Sequence, residues 1–273
     1  MSSMEPGTGH LERSPAINGS YAVPGMANWF FRPVRKSNPA FRLYCFPYAG
    51  GSPTMFRSWA NRVPEHVEIV GIELPGRGAR IRETPIPDLK ALALGVADAI
   101  ARNGDTRFAF FGHSMGALLA FETTRRLRLQ GAPQPCHLFV SGCRAPHLES
   151  DRKPVASMSD EEFLTKLRDL NGTPESVMHD PELMALVLPV LKADFAAVDG
   201  WKFRPERNLN VPITSFGGSS DGHVGLEAVE AWRDHTRQEF QFRTFSGDHF
   251  FIHPKEEIIV DLIIRTLQLE AWV

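Results

Sequence analysis

The sequence predicts an α/β fold in which a mostly parallel sheet is covered by helices on both faces. Short, almost continuously apolar segments alternate along the chain with segments whose apolar residues recur at helical spacing. Strands this apolar are typical of a sheet buried on both faces, and their alternation with helices favours parallel connections. A chain of 273 residues is long enough to bury a substantial core.

The first segment is expected to be disordered. Residues 1–25 are rich in Gly, Pro and Ser and have little apolar periodicity, which indicates a disordered leader, a cloning remnant or an upstream start. A folded domain is expected to begin at Met26 and to cover residues 26–273.

The strands and helices of this domain follow from apolar pattern and from Gly or Pro at the segment ends. The clearest helix covers residues 87–104, where Gly104 can end it. Further helices are expected at 115–131, 226–236 and 254–269. Strands are expected at 41–48, within 68–78, and at 107–114, 136–142, 211–218 and 240–247.

One stretch interrupts the alternation. Residues 147–205 have helical patterns and no convincing strand. An insertion of this length between two strands predicts a lid over the carboxyl edge of the sheet rather than a separate domain. Four apolar residues of the insertion are candidates for lining a chamber, although their helical spacing is also that of ordinary core packing: Leu183, Met184, Leu188 and Trp201.

The segment FFGHSMGALLAFE (110–122) places Ser114 at the junction of a predicted strand and a predicted helix. Gly112 to Gly116 match the pattern G-x-S-x-G, the nucleophile elbow of α/β-hydrolases, in which a sharp turn exposes the serine Oγ above the sheet. The alternative is a tight turn that needs a small residue. The flanking strand and helix favour the nucleophile.

A serine hydroxyl needs a base to take its proton and an acid to orient that base. In this fold the acid follows the serine along the chain, and the base follows the acid. Asp221 comes directly after the strand at 211–218, and His249 directly after the strand at 240–247. These two residues are therefore the candidate acid and base. Asp248 and Asp194 are the alternative acids.

The oxyanion site of such an enzyme uses two backbone amides. One belongs to the residue after the nucleophile, here Met115. The other comes from the loop after an early strand, and FPYAGGS (46–52) provides a Gly-Gly loop in which Ala49 or Tyr48 is the candidate donor.

Composition excludes several classes of function. The formal net charge of −2 gives no support to nucleic acid as a partner, and charged or polar residues interrupt every apolar stretch before it reaches membrane-spanning length. The amino terminus lacks a secretory signal, and we expect a cytoplasmic protein. Cys45, Cys136 and Cys143 lack metal-binding spacing and are interpreted as reduced core residues.

The motifs FPYAGGS, ELPGRG, FGHSMGA and SGCRAP, followed by a helical insertion, Asp221 and GDHFF, occur here in a familiar order. Over residues 26–270 the sequence resembles the stand-alone type II thioesterases of polyketide and nonribosomal peptide biosynthesis. The resemblance implies a triad of Ser114, Asp221 and His249. It also implies an oxyanion hole formed by the amides of Ala49 and Met115. Cys143 departs from the family, which often has arginine there.

The resemblance further implies an editing enzyme that removes aberrant acyl groups from the phosphopantetheine arm of acyl or peptidyl carrier proteins. No metal or cofactor is expected, and the enzyme is expected to be a monomer. The alternatives are a general carboxylesterase or lipase, a thioesterase that releases the finished product, and an inactive binding module. Basic residues expected near the entrance, facing an acidic carrier, are Arg32, Arg35, Lys36, Arg77, Arg80 and Arg144.

Overall fold

The computed structural model describes residues 28–105, 107–149, 153–170, 172 and 175–269. The leader predicted at residues 1–25 lies outside this part of the chain.

A seven-stranded sheet with the order β1-β3-β2-β4-β5-β6-β7 forms the centre of the molecule. Strand β1 pairs antiparallel with β3, and the other neighbouring strands pair in parallel. The predicted parallel sheet is therefore confirmed. The strands are β1 Phe30–Phe31, β2 Phe41–Phe46, β3 Val67–Ile72, β4 Phe108–His113, β5 Leu138–Ser141, β6 Ile213–Gly218 and β7 Phe240–Phe245.

Strand β1 is absent from the sequence prediction. Its two residues are too few to show periodicity, and pairing with β3 (Phe30 with Ile72) defines it.

Helices cover both faces of the sheet and bury its alternate side chains. In β4, Phe110 packs into a cluster with residues of the helices at 89–103 and 115–129, whereas Phe111 packs into a second cluster with residues of the helix at 256–266. Successive strand residues point to opposite faces, so one apolar strand serves two cores. The helices are α1 Leu89–Asn103, α2 Met115–Leu129, α3 Asp160–Leu170, α4 Glu175–Met178, α5 Pro181–Gly200, α6 Leu226–Glu230 and α7 Glu256–Thr266.

Helix α1 ends at Gly104 as predicted and begins at Leu89, two residues later than predicted. The Asp88 carboxylate accepts hydrogen bonds from the N–H groups of Lys90 and Ala91, which satisfies two amides that lack partners within the helix. Gly104 ends the helix in the left-handed conformation, with φ of 75°.

Along the described ranges, none of the helices is long and apolar enough to span a bilayer.

Two sequence predictions are wrong in detail. The helix expected at 226–236 is α-helical only as far as Glu230, and residues 231–235 form a 3₁₀-helix. Trp232 and His235, three residues apart, are both buried, and the tighter 3₁₀ turn places them on one side. Cys136 is exposed rather than part of the core, whereas Cys45 and Cys143 are buried.

The insertion at residues 147–205, named the lid here, contains α3, α4 and α5 and has a small core of its own. Val155, Phe163, Leu167 and Leu191 form this core. Of the candidates for a chamber lining, Leu188 packs against the lid core and Trp201 against the core of the sheet. Met184 is buried and Leu183 is 42% exposed.

Candidate active site

Ser114 lies at the sharp turn between β4 and α2. Its φ of 54° and ψ of −118° are unusual for a residue with a side chain, and its N–H donates to the Ser141 carbonyl at 2.8 Å. A Cβ on Gly112 would lie 2.2 Å from the Gly116 carbonyl oxygen, and one on Gly116 would lie 2.1 Å from the Phe46 carbonyl oxygen. Both glycines are therefore required by close backbone contacts around the serine.

His249 joins the serine to an acid. Its Nε2 lies 3.1 Å from Ser114 Oγ, and its Nδ1 lies 2.7 Å from Asp221 Oδ2. An ionised carboxylate can only accept, so we assign the proton to Nδ1. Nε2 is then left to accept the serine proton. The His249 side chain is 7% exposed, which limits competition from water.

Asp221 is held in its ionised form. Burial alone would raise its pKa, but the hydrogen bond and charge of His249, with the amides of His223 and Val224, hold the pKa below the usual range. Those amides donate to Oδ1 at 2.8 and 3.0 Å. The carboxylate therefore keeps an oxygen directed at the histidine.

The alternative acids have other partners. Asp248 is exposed and accepts a hydrogen bond from the Phe250 N–H at 2.9 Å. Asp194 is buried and forms a bidentate ion pair with Arg77. Of the three carboxylates proposed from the sequence, the structure brings Asp221 to the imidazole.

His113, within the elbow, is buried and neutral. Burial, together with the neighbouring His249 and His253, lowers the pKa of His113 well below its usual range. Its Nδ1 lies 2.9 Å from Ser141 Oγ, and its ring is centred 5.1 Å from that of His249. Its ring therefore packs against the imidazole of the candidate base.

The candidate oxyanion donors lie on two adjoining segments. Met115 is the first residue of α2. The N–H groups at the start of a helix point out of the helix and can bind an anion. Ala49 lies in the loop after β2, in a turn closed by the Gly51 N–H and the Tyr48 carbonyl at 2.9 Å. Since the Phe46 carbonyl closely approaches the start of α2, this loop leaves the sheet beside the elbow.

Phe250 and Tyr48 form an aromatic group beside His249 that is absent from the sequence predictions. The Phe250 ring is centred 5.2 Å from the imidazole and 5.0 Å from the Tyr48 ring. The Tyr48 hydroxyl lies 3.2 Å from His253 Nε2. A Cβ on Gly172, in the lid, would lie 2.3 Å from Phe250, so lid and aromatic group are in contact. The signal available in the sequence was the dense run HFFIH (249–253).

Most of the basic residues expected at the entrance lie elsewhere. Arg77 and Arg80 are buried, at 7% and 4% exposure, and Arg80 stacks over the Trp29 ring and pairs with Glu83.

The group at 32–36 follows the antiparallel β1 and reaches the amino end of β3, where the Lys36 N–H donates to Glu68. That end of the sheet is opposite the serine. This end of the sheet does not border the active site, so the prediction is wrong for Arg32, Arg35 and Lys36. The side chain of Arg144 donates a hydrogen bond to the Glu149 carbonyl.

The described residues contain no group of three or more His, Cys, Asp or Glu side chains arranged to hold a metal ion.

Comparison with known proteins assigns the chain to a family. A family model described as a thioesterase domain matches residues 41–267, which include every candidate catalytic residue. The chain belongs to the thioesterase family. The resemblance predicted from the motifs is thereby confirmed.

Individual thioesterases agree with this assignment. The gramicidin S biosynthesis protein GrsT of Aneurinibacillus migulanus is 39% identical over 88% of this chain and 94% of its own length. The type II thioesterase BorB from the borrelidin biosynthetic cluster superposes with a TM-score of 0.80 at 34% identity, over 87% of this chain and 96% of its own. The RedJ thioesterase of the prodiginine pathway in Streptomyces coelicolor has a TM-score of 0.76 and 41% identity over 84% and 91%. The α/β-hydrolase fold of this thioesterase is confirmed by these structures.

Proposed function

We propose that Ser114, His249 and Asp221 form the catalytic triad of this thioesterase, and that its substrates are acyl groups on the phosphopantetheine arm of carrier proteins. The observation that carries the triad is the continuous hydrogen-bonded chain from Ser114 Oγ through the imidazole to Asp221. The strained backbone of Ser114 supports the same role, because strain of this kind is concentrated at functional residues.

The first half of the reaction forms an acyl-enzyme. Ser114 Oγ attacks the thioester carbonyl while Nε2 of His249 takes its proton. Asp221 stabilises the resulting imidazolium and holds the tautomer. The amides of Met115 and Ala49 donate to the oxyanion. The C–S bond then breaks, and the imidazolium protonates the leaving thiolate.

The second half releases a carboxylic acid. Water takes the place of the thiol, and His249 removes its proton as it attacks the acyl carbonyl. Collapse of the second oxyanion expels Ser114 Oγ, which recovers its proton from the imidazolium. The enzyme returns to its starting state with one thioester hydrolysed.

The carrier-bound substrate and the editing role are supported by the relatives. GrsT is named for gramicidin S biosynthesis, and BorB is described as a type II thioesterase from a biosynthetic cluster. Removal of aberrant acyl groups that block the carriers is the function that fits such a setting. We further infer that residues 26–273 act as one domain with the lid at 147–205, and that the enzyme is a monomer.

A carrier comparison tests this function. One acyl group is offered on a holo-carrier protein, on CoA and as an oxygen ester, with the wild-type enzyme and the Ser114→Ala variant. We expect kcat/KM to be highest on the carrier, because the protein adds contacts remote from the reacting carbonyl. The variant should be inactive on all three.

Each alternative has its own signature. A general carboxylesterase would hydrolyse the oxygen ester at least as fast as the thioesters and would show no preference for the carrier. A product-releasing thioesterase would prefer the full-length product over short aberrant acyl groups. An inactive binding module would bind the carrier without turnover and without reaction of Ser114 with a fluorophosphonate.

A further inference from the structure

A buried ion pair joins the lid to the loop that carries a candidate oxyanion donor. Asp194 lies on α5 and Arg77 follows β3, and their side chains are 1% and 8% exposed. Arg77 Nη1 donates to Oδ2 at 2.6 Å, and Nη2 donates to Oδ1 at 2.7 Å. Two parallel bonds of this kind fix both side chains in one orientation.

The same pair holds the turn after β2. The Gly50 N–H donates to Asp194 Oδ2 at 2.7 Å, and Arg77 Nη1 donates to the Gly51 carbonyl at 3.2 Å. The turn therefore has a side-chain partner on each of its last two residues. These partners come from segments far away in the sequence.

The geometry of this turn shows what the contact controls. Gly50 is the third residue of the turn and has φ of 75°, as in a type II turn. Types I and II differ in the orientation of the peptide that joins the two central residues, here Ala49 and Gly50. A carboxylate that accepts from the Gly50 N–H selects one of these orientations. The Ala49 N–H itself belongs to the preceding Tyr48–Ala49 peptide, so the carboxylate restrains this donor by holding the turn as a whole when the oxyanion forms.

Helix α5 also packs on the turn. A Cβ on Gly50 would lie 2.2 Å from Leu191 Cδ2, and Leu191 precedes Asp194 by three residues. Residues at this spacing share a helix face. One face of the lid helix thus supplies both a carboxylate and an apolar contact to the turn, so the position of the lid and the conformation of the turn are coupled.

We propose that Asp194, oriented by Arg77, is a positioning residue that holds the Tyr48–Gly51 turn so that the Ala49 amide faces the oxyanion formed at Ser114. This inference rests on the proposed function of Ser114. A buried ion pair by itself adds little stability, because removing both charges from water offsets their attraction. Orientation of the turn is what this pair supplies beyond packing.

Glu68 provides a matched control at the other end of the sheet. It is 2% exposed and accepts hydrogen bonds from Arg42 Nε at 2.7 Å and from the Lys36 N–H at 3.1 Å. It therefore combines an arginine and a backbone amide, as Asp194 does, but at the amino edge. Glu68→Ala likewise removes a buried carboxylate, but it does not touch the Tyr48–Gly51 turn.

The test compares Asp194→Ala with Glu68→Ala in the full-length enzyme. Two quantities are measured: kcat and KM for an acyl-CoA thioester, and the rate at which a fluorophosphonate labels Ser114. Labelling forms the Oγ–P bond and expels fluoride, and charge develops on the phosphonyl oxygen in the oxyanion hole. It therefore reports on that hole independently of the physiological substrate.

We expect Asp194→Ala to lower both kcat and the labelling rate about 10- to 100-fold. This loss is smaller than the loss expected when a hydrogen-bond donor of an oxyanion hole is removed outright. KM should stay within about threefold, because the turn acts on the transition state rather than on binding. Asp194→Asn keeps an acceptor for the Gly50 N–H and should recover part of the loss. Glu68→Ala should leave kcat, KM and labelling within about threefold of wild type, as expected of a residue remote from the reacting atoms.

The double variant Arg77→Met/Asp194→Leu guards against simple unfolding. It removes both charges together, which buried sites tolerate better than the loss of one partner. It should melt near the wild-type temperature and still react slowly. Near wild-type kcat and labelling in a folded double variant would overturn the inference, as would a loss in Asp194→Ala confined to KM. Equal labelling of wild type and Ser114→Ala would instead refute the triad itself.

Discussion

The sheet with the helices that cover it, named the body, and the lid at residues 147–205 differ in how deeply their cores are buried. In the body, strand residues such as Phe110 and Phe111 are 0% exposed and pack into a core on each face of the sheet. In the lid, a small core around Phe163 and Leu167 is surrounded by partly exposed apolar residues, and Leu186 is 61% exposed.

The candidate triad and the contacts that support it are divided between these two regions. The candidate triad lies entirely on the body, on the loops after β4, β6 and β7, where deep packing keeps the reacting groups in position. The lid contributes contacts to the Tyr48–Gly51 turn and to Phe250, which lies beside His249. Regions with few buried apolar contacts open at lower free energy than the core. Local opening of residues 147–205 therefore need not disturb the candidate triad.

The largest effect should come from the nucleophile of the body. Ser114→Ala should lower kcat about 10⁶-fold, because the triad acts as a unit. His249→Ala should cost about as much, and the double variant little more. The lid is untouched, so melting temperatures should stay near wild type. Steady-state kinetics and circular dichroism make the measurement, and more than a tenth of the wild-type kcat in either single variant would contradict the assignment.

Asp221→Asn should have the next largest effect. The amide can donate to Nδ1 and so favours the wrong tautomer, which should lower kcat on the order of 10³–10⁴-fold. The matched variant Asp248→Asn, at the exposed neighbouring carboxylate, should retain nearly all activity. Equal losses in the two variants would mean that the acid is assigned wrongly.

Equivalent truncations in the two cores should sharpen the comparison of stability. Phe111→Ala in the body should lower the free energy of unfolding by about 3–5 kcal/mol, as expected for a buried phenylalanine. Phe163→Ala in the lid should leave the main unfolding transition almost unchanged and increase hydrogen exchange in α3 and α5. Denaturant titration and hydrogen exchange give the two readouts. A matching loss of global stability in Phe163→Ala would show that lid and body unfold as one unit.

The smallest effect concerns acid stability of the body. Burial lowers the pKa of His137 to about 4, although Nε2 lies 2.8 Å from Thr214 Oγ1. The unfolded chain binds this proton near pH 6.5, so stability from the neutral histidine is present above that pH and is lost as pH falls toward 4. Between pH 7 and 5 the free energy of unfolding should fall by about 2 kcal/mol through this residue.

His137→Gln keeps a polar side chain of similar length and should make the pH dependence of unfolding shallower over this range. Denaturant titrations at pH 7, 6 and 5 make the comparison. An unchanged slope would mean that His137 is protonated in the folded state.

Local features explain why much of the fold could be predicted. Apolar strands and capped helices such as α1 are specified by neighbouring residues, and so is the elbow around Ser114, where two glycines prevent backbone clashes. The candidate acid and base could be located because each comes directly after a predicted strand, in the order that this fold requires. Short or context-dependent elements escaped prediction: β1 exists through its pairing with β3, and the 3₁₀-helix at 231–235 depends on which side chains the body buries.

The sequence by itself therefore determined the sheet, the elbow and the candidate triad, because each depends on local pattern or on strand order. The tertiary structure decided the role of the charges. Arg77 in PGRG looks like a surface residue, yet it pairs with Asp194, 117 positions away. A charge has the same local sequence whether it faces water or a buried carboxylate, since its partner is set by how distant segments cross over the sheet.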